Sequence, residues 1–196
     1  MAHVVMEQRA CQSTASRDIG TAPEGAPVKV AFKLTADLLH RTREQLVLPH
    51  PFAAERVGFL SCRVGAVKPS GWLVLAHDFH PVEDNDYLED FSVGAMMGPT
   101  AIRKAMQFAF NNEVAMFHVH MHGHRGQPWF SGTDLRENAN FIPDFWHVRP
   151  HSVHGALVLS KDSLAGMCWH PQSPRPLRFN DFSIVGSPMS LLRRAR

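Results

Sequence analysis

Apolar and polar positions in this chain switch between two periods, and the switches outline its elements. Val28 to Leu34 (VKVAFKL) reads as a first strand, with folding starting near Pro27. Asp37 to Leu46 follows with Leu38, Leu39, Gln45 and Leu46 at helical spacing, until Pro49 and Pro51 break the pattern. Phe52 to Val57 opens a short helical turn. Val57 to Val67 reads as a strand in which Gly58 admits a neighbouring backbone closely. Gly71 to Phe79 is a second strong strand, and the acidic stretch from Pro81 to Asp90 reads as a solvated loop. Pro99 to Asn111 is a helix with proline at its first turn and an apolar stripe of Ile102, Met106 and Phe110. Val114 to His120 is a strand, and a further helix opens at Ser131, with Ser131 or Thr133 as its cap. Gly155 to Ser160 and Gly166 to His170 are late strands. Strands interleaved with helices predict an α/β fold.

The organisation that follows is a flexible leader over 1–26, rich in Ala, Ser, Thr and Gly, one domain over 27–185 and a basic tail over 186–196. A chain of 196 residues is long enough to bury a substantial core. The formal charge of +2 offers no electrostatic case for nucleic acid or a membrane surface. Three cysteines without a C-x-x-C pair argue against a disulfide framework and fit a reducing cytoplasm. No segment approaches the roughly 18–20 apolar residues of a membrane span. Histidine changes the picture: nine of thirteen fall between His77 and His154, which favours metal or acid–base chemistry.

The densest chemistry is His118-Val119-His120, then ten residues, then Ser131-Gly132-Thr133-Asp134. In a strand, residues i and i+2 share a face, so His118 and His120 present two imidazoles side by side. Asp134, in the first turn of the next helix, is the natural third ligand. Two His, one Asp and a water would give four-coordinate zinc with an open catalytic position. Glu55, at the boundary before the Val57 strand, is the candidate general base. Ser131 could donate a hydrogen bond to a developing oxyanion.

Glu55-x-x-Gly58-Phe59-Leu60, His118-x-His120 and Ser131-x-x-Asp134 in this order resemble the motif of the JAMM (MPN-plus) metalloproteases, over roughly residues 28–170. The resemblance implies a single MPN domain, a cytidine-deaminase-like mixed β-sheet flanked by helices. It implies zinc-dependent hydrolysis of peptide or isopeptide bonds, often those joining ubiquitin or a ubiquitin-like protein to an amine. His118, His120 and Asp134 would be ligands, Glu55 the general acid/base and Ser131 the oxyanion partner. Met121 stands where the family usually has proline, and ten residues replace the common gap of about seven before the serine. His122 with His124 is a rival register, six residues before Ser131; the first pair is preferred because it directly follows the apolar strand, with the later histidines in a looser, enlarged loop. The compact form is similar to prokaryotic members, some of which accompany ubiquitin-like proteins and their activating and conjugating enzymes in defence operons.

Each feature has a plainer reading. Glu55 could be a surface residue. His147, His151 and His154 could be solvated or satisfied in the core, and Cys62 and Cys168 buried hydrophobes. His122, Trp129 and Phe130 could contact substrate, and the two aromatics could equally be core. Rival functions are a non-catalytic scaffold on the same fold, a small-peptide or amide hydrolase, and, lower, a cupin-type oxygenase, for which a spaced downstream Glu and His are missing.

Overall fold

The computed structural model describes residues 28–193 except 52, 68–70, 91–93, 174 and 187. The expected leader and Cys11 therefore lie outside the described residues. The chain forms strand β1 (Lys29–Thr35), helix α1 (Ala36–Leu46), β2 (Val57–Ala66), β3 (Gly71–Pro81), β4 (Tyr87–Leu88), β5 (Met96–Met97), α2 (Pro99–Asn112) and β6 (Ala115–Met121). Helix α3 (Gly132–Phe141) follows, then β7 (His154–Leu159), β8 (Leu164–Trp169), β9 (Leu177–Arg178), β10 (Asp181–Val185) and β11 (Ser190–Arg193). Nine strands make one mixed sheet in the order β11-β10-β1-β3-β2-β6-β7-β8-β9, and β4 pairs with β5 separately. The fold is mixed α/β, as expected.

Strand β6 shows how the sheet divides the core. Its odd positions, Ala115, Phe117 and Val119, pack with Phe32, Leu38, Leu46 and Leu157 on the α1 side. Its even position Met116 packs with Val57, Phe59, Ala101, Ala105, Ala109 and Phe145 on the α2 side. Period-two alternation therefore commits His118 and His120 to the face that α2 and α3 cover.

Helix α1 begins at Thr35, whose hydroxyl accepts the Leu38 amide at 3.1 Å. Its buried face is Leu38, Leu39, Thr42 and Leu46. Thr42 takes the place expected for Gln45, because its hydroxyl is satisfied by the Leu38 carbonyl at 2.7 Å. Helix α2 also departs from expectation. It buries Ala101, Ala105 and Ala109, one residue off the Ile102–Met106–Phe110 stripe, and leaves Phe110 60% exposed. Small alanines let the helix approach β6 closely, which a stripe of large side chains would prevent.

Ala54 and Glu55 form a bend and Ala53 and Arg56 have no regular structure, so no helical turn precedes β2 among the described residues; Phe52, where the turn was expected to open, lies outside them. The acidic stretch is more ordered than a solvated loop. Asp84–Asp86 is a short 3-10 turn, Asp86 is buried against Lys104 at 2.7 Å, and Asp84 accepts from Arg56 at 2.6 Å. Part of the basic tail is also structural, since β11 pairs antiparallel with β10, which pairs parallel with β1. Cys62 and Cys168 are buried free thiols with pKa values raised by burial. His147 and His151 are exposed, while His154 is fully buried, stacked on Phe145 at 5.1 Å. No helix among the described residues is long and apolar enough to cross a membrane.

A Cβ at Gly58 would lie 2.7 Å from the His80 carbonyl oxygen and 2.5 Å from the Phe79 ring. Gly58→Ala is expected to lower stability by about 1–3 kcal/mol in urea unfolding, because strand β3 cannot retreat without breaking its ladder. A second prediction concerns acid. His154 Nδ1 accepts the Met116 amide at 3.1 Å, and burial lowers its pKa from 6.5 to about 3. Below pH 6.5 the unfolded chain gains a proton that the folded chain refuses until about pH 3. The contribution is full above that window and shrinks as pH falls through it. Urea-unfolding free energies should fall by up to about 1.4 kcal/mol per pH unit from this group, with a shallower slope in His154→Gln.

Candidate metal centre

Two strands bring the site together. Antiparallel pairing of β2 with β6 sets Phe59 opposite His118 and Val57 opposite His120. Continuing that register by two residues brings Glu55 alongside His122. The His122 amide donates to the Leu159 carbonyl at 2.9 Å, so the strand pattern runs one residue past β6 rather than loosening into a loop. His118, His120 and His122 therefore share one face, with ring centroids 5.9 and 5.0 Å apart.

The residues that converge most tightly are Glu55, His120 and His122. Their ligand atoms all lie within 4.8 Å of one another, a grouping that could hold a metal ion. His120 Nε2 is 3.2 Å from His122 Nε2 and 3.6 Å from Asp134 Oδ2. Nitrogen and carboxylate oxygen donors in this mixture suit a divalent transition metal. Burial supports that use, since it lowers the pKa of His120 and leaves a neutral imidazole able to offer a lone pair. His120 Nδ1 is itself buried without a hydrogen-bond partner.

His118 sits deeper. Its Nδ1 lies 3.1 Å from Asn138 Oδ1, so the Nδ1 proton is donated to the amide and Nε2 is left bare, buried and without a hydrogen-bond partner. Burial lowers its pKa to about 3. Phe59 and Phe141 pack on its ring at centroid distances of 5.7 and 5.4 Å. The structure thus brings Glu55, His120 and Asp134 together, places His118 one rung below, and brings in His122. The signal for His122 was in the sequence, because 120 and 122 obey the same i, i+2 rule as 118 and 120. What the sequence lacked was the point where strand pairing stops.

Asp134 is held by a reciprocal cap. Its amide donates to Ser131 Oγ at 3.1 Å, and its Oδ2 accepts the Ser131 amide at 2.7 Å. Starting α3 and aiming the carboxylate at His120 are one act. Ser131 Oγ spends a lone pair on the cap, and its hydrogen remains available to an acceptor in the site. The Glu55 amide donates to the Gly94 carbonyl at 2.9 Å, and a Cβ on Gly94 would lie 2.9 Å from Glu55 Oε2. Burial raises the Glu55 pKa, His122 opposes the shift and Asp134 adds to it.

These groups line a cavity of about 530 Å³ between β5 and α3, with Met96 and Met97 on one wall and Thr133, Arg136 and Glu137 on the other. The segment from His124 to Ser131 is more firmly held than an enlarged loop would be. Ser160 Oγ donates to the Gly126 carbonyl and Asp162 accepts the Gly126 amide, both at 2.7 Å, and the Lys161 amide donates to the His124 carbonyl at 3.0 Å. Gly126 permits this with φ of +85°. Trp129 is 63% exposed and stacks on His124, so it is not core, whereas Phe130 packs toward Ile142 and Met167 with its ring 6.3 Å from His120.

No family model and no curated protein matches the chain.

The reciprocal cap yields a direct test. Ser131→Ala removes the acceptor for the Asp134 amide and should cost about 1 kcal/mol in thermal or urea unfolding, with Ser131→Asn, which can still cap, closer to wild type.

Proposed function

We propose that this chain is a zinc-dependent peptidase or isopeptidase of the JAMM type, on an MPN fold, acting on the C-terminal tail of a ubiquitin-like protein joined to an amine. The observation that carries the reading is the convergence of Glu55, His120 and His122 within 4.8 Å, beside an Asp134 carboxylate fixed by its own helix cap. His120, His122 and Asp134 would hold the metal. This register lies between the two considered from sequence and leaves eight residues before Ser131, near the family's common gap of about seven. Zinc bound there would polarise the scissile carbonyl and lower the pKa of a water toward about 7.

Glu55 is the proton carrier. Its raised pKa brings it nearer the working range of a general base that must later act as an acid. It takes a proton from the attacking water and returns it to the leaving amine. Ser131 donates its free hydroxyl hydrogen to the oxygen that gains charge as the carbonyl becomes tetrahedral. His118 and Asn138 support the strand face beneath the ligands. The cavity of about 530 Å³ between β5 and α3 suits an extended tail rather than a folded surface.

Metal analysis should find about one zinc per chain, as a single site requires. Glu55→Gln should retain it and lose at least about 100-fold in cleavage of ubiquitin-like fusions, the usual scale for a lost general base. His122→Ala should lose the metal, and His118→Ala should keep it. Zinc retained without His122 but lost without His118 would return the ligand set to His118, His120 and Asp134. Cleavage of short peptides in preference to ubiquitin-like fusions would replace the substrate class, and full activity in Glu55→Gln would end the mechanism.

A further inference from the structure

Glu55 stands outside regular structure, on a segment that bends between α1 and β2. A carboxylate on such a segment samples many positions unless its backbone is tied down. The ties here are numerous, and they gather on its neighbour Arg56. Arg56 is only 16% exposed although it is charged. Its Nε lies 3.0 Å from the Leu48 carbonyl and 3.2 Å from that of Pro49, its Nη2 donates to Pro49 at 2.7 Å, and its Nη1 donates to Asp84 Oδ1 at 2.6 Å. One guanidinium thus closes the loop from 48 to 56 at its base and bolts it to the turn after β3.

Other groups complete the frame. The Ala53 amide donates to His50 Nδ1 at 3.1 Å inside the closed loop. His50 is buried, its Nε2 is 3.6 Å from Asp84 Oδ1, and its ring lies 4.3 Å from that of Tyr87. Tyr87 Oη both accepts the Val57 amide at 2.8 Å and donates to the Val57 carbonyl at 3.2 Å. On the cavity side the Gly94 carbonyl accepts the Glu55 amide at 2.9 Å. Residues on both sides of Glu55 are gripped, and Arg56, Asp84, His50 and Tyr87 stand outside the residues that line the cavity, which Gly94 and Val57 help to form.

We propose that Arg56, anchored by Asp84 and the Leu48 and Pro49 carbonyls, is a positioning residue that fixes the Glu55 carboxylate against the metal centre. The proposal rests on the role assigned to Glu55 above. A planar fork with five donors can hold three acceptors in fixed directions, which an ammonium cannot reproduce. Holding a reacting group near its productive geometry governs turnover more than ground-state binding.

The test uses the full chain loaded with zinc, and the variants Arg56→Gln, Asp84→Ala and Asp84→Asn. Amide exchange by NMR reads the Glu55 and Val57 amides against those of β1 and β7, and cleavage of a ubiquitin-like fusion reads kcat and KM. In Arg56→Gln the Glu55 and Val57 amides should exchange at least about ten-fold faster while β1 and β7 stay protected, as a local opening requires. Its kcat should fall about ten-fold or more with KM within about two-fold and zinc unchanged. Asp84→Asn, which keeps the acceptor, should lie closer to wild type than Asp84→Ala. Unchanged exchange at Glu55 and Val57 in both Arg56→Gln and Asp84→Ala overturns the proposal, as does loss of protection everywhere in parallel. A wild-type chain that cleaves nothing removes the catalytic reading, and faster local exchange in the variants would still support the clamp.

Discussion

The pairing of β2 with β6 is the constraint on which the rest depends. One register, Val57 opposite His120, aligns an acidic residue that precedes one strand with imidazoles that finish the other. A slip of one residue would turn every histidine of β6 toward α1 and replace Phe117 and Val119 on the apolar side with charged or polar groups. Burial of Phe117 and Val119 among Phe32, Leu38 and Leu157 therefore fixes the candidate metal face from behind. Hydrophobic burial and site geometry are the same choice seen from opposite faces of one sheet.

The site also shows how structural hydrogen bonds can serve chemistry. The Ser131–Asp134 cap satisfies two amides at the start of α3 and leaves a carboxylate and a hydroxyl directed at one cavity. Asn138, one turn further on, fixes the tautomer of His118. Burial then lowers the pKa of His118 and His120 while it raises that of the Glu55 carboxyl. The two shifts have opposite signs in charge yet one cause, the removal of water from groups that must share a small volume.

Much of the framework was legible because it rests on local rules. Strand alternation located β1, β2, β3 and β6, proline marked the start of α2, and Ser-x-x-Asp marked that of α3. The elements that escaped rest on distant partners. Strand β10 is five residues long and pairs with β1, about 150 positions away in sequence, with Asn180 joining the two by accepting the Val30 amide at 2.8 Å. The face of α2 was misjudged because the larger side chains form the more visible stripe, whereas close approach to β6 selected the alanines.

The sequence by itself determined the kinds of donor and their order along the chain: a carboxylate, a run of alternating histidines, then a capped aspartate. Alternation also put His118 and His120 on one face. Which of them meet Glu55 was decided only in three dimensions, because the end of the β6–β7 ladder, at the His122 amide, is set by a partner strand and not by the residues of β6. The same holds for Arg56. Its charge was visible from the start, but its three acceptors lie on segments that only tertiary packing brings to one guanidinium.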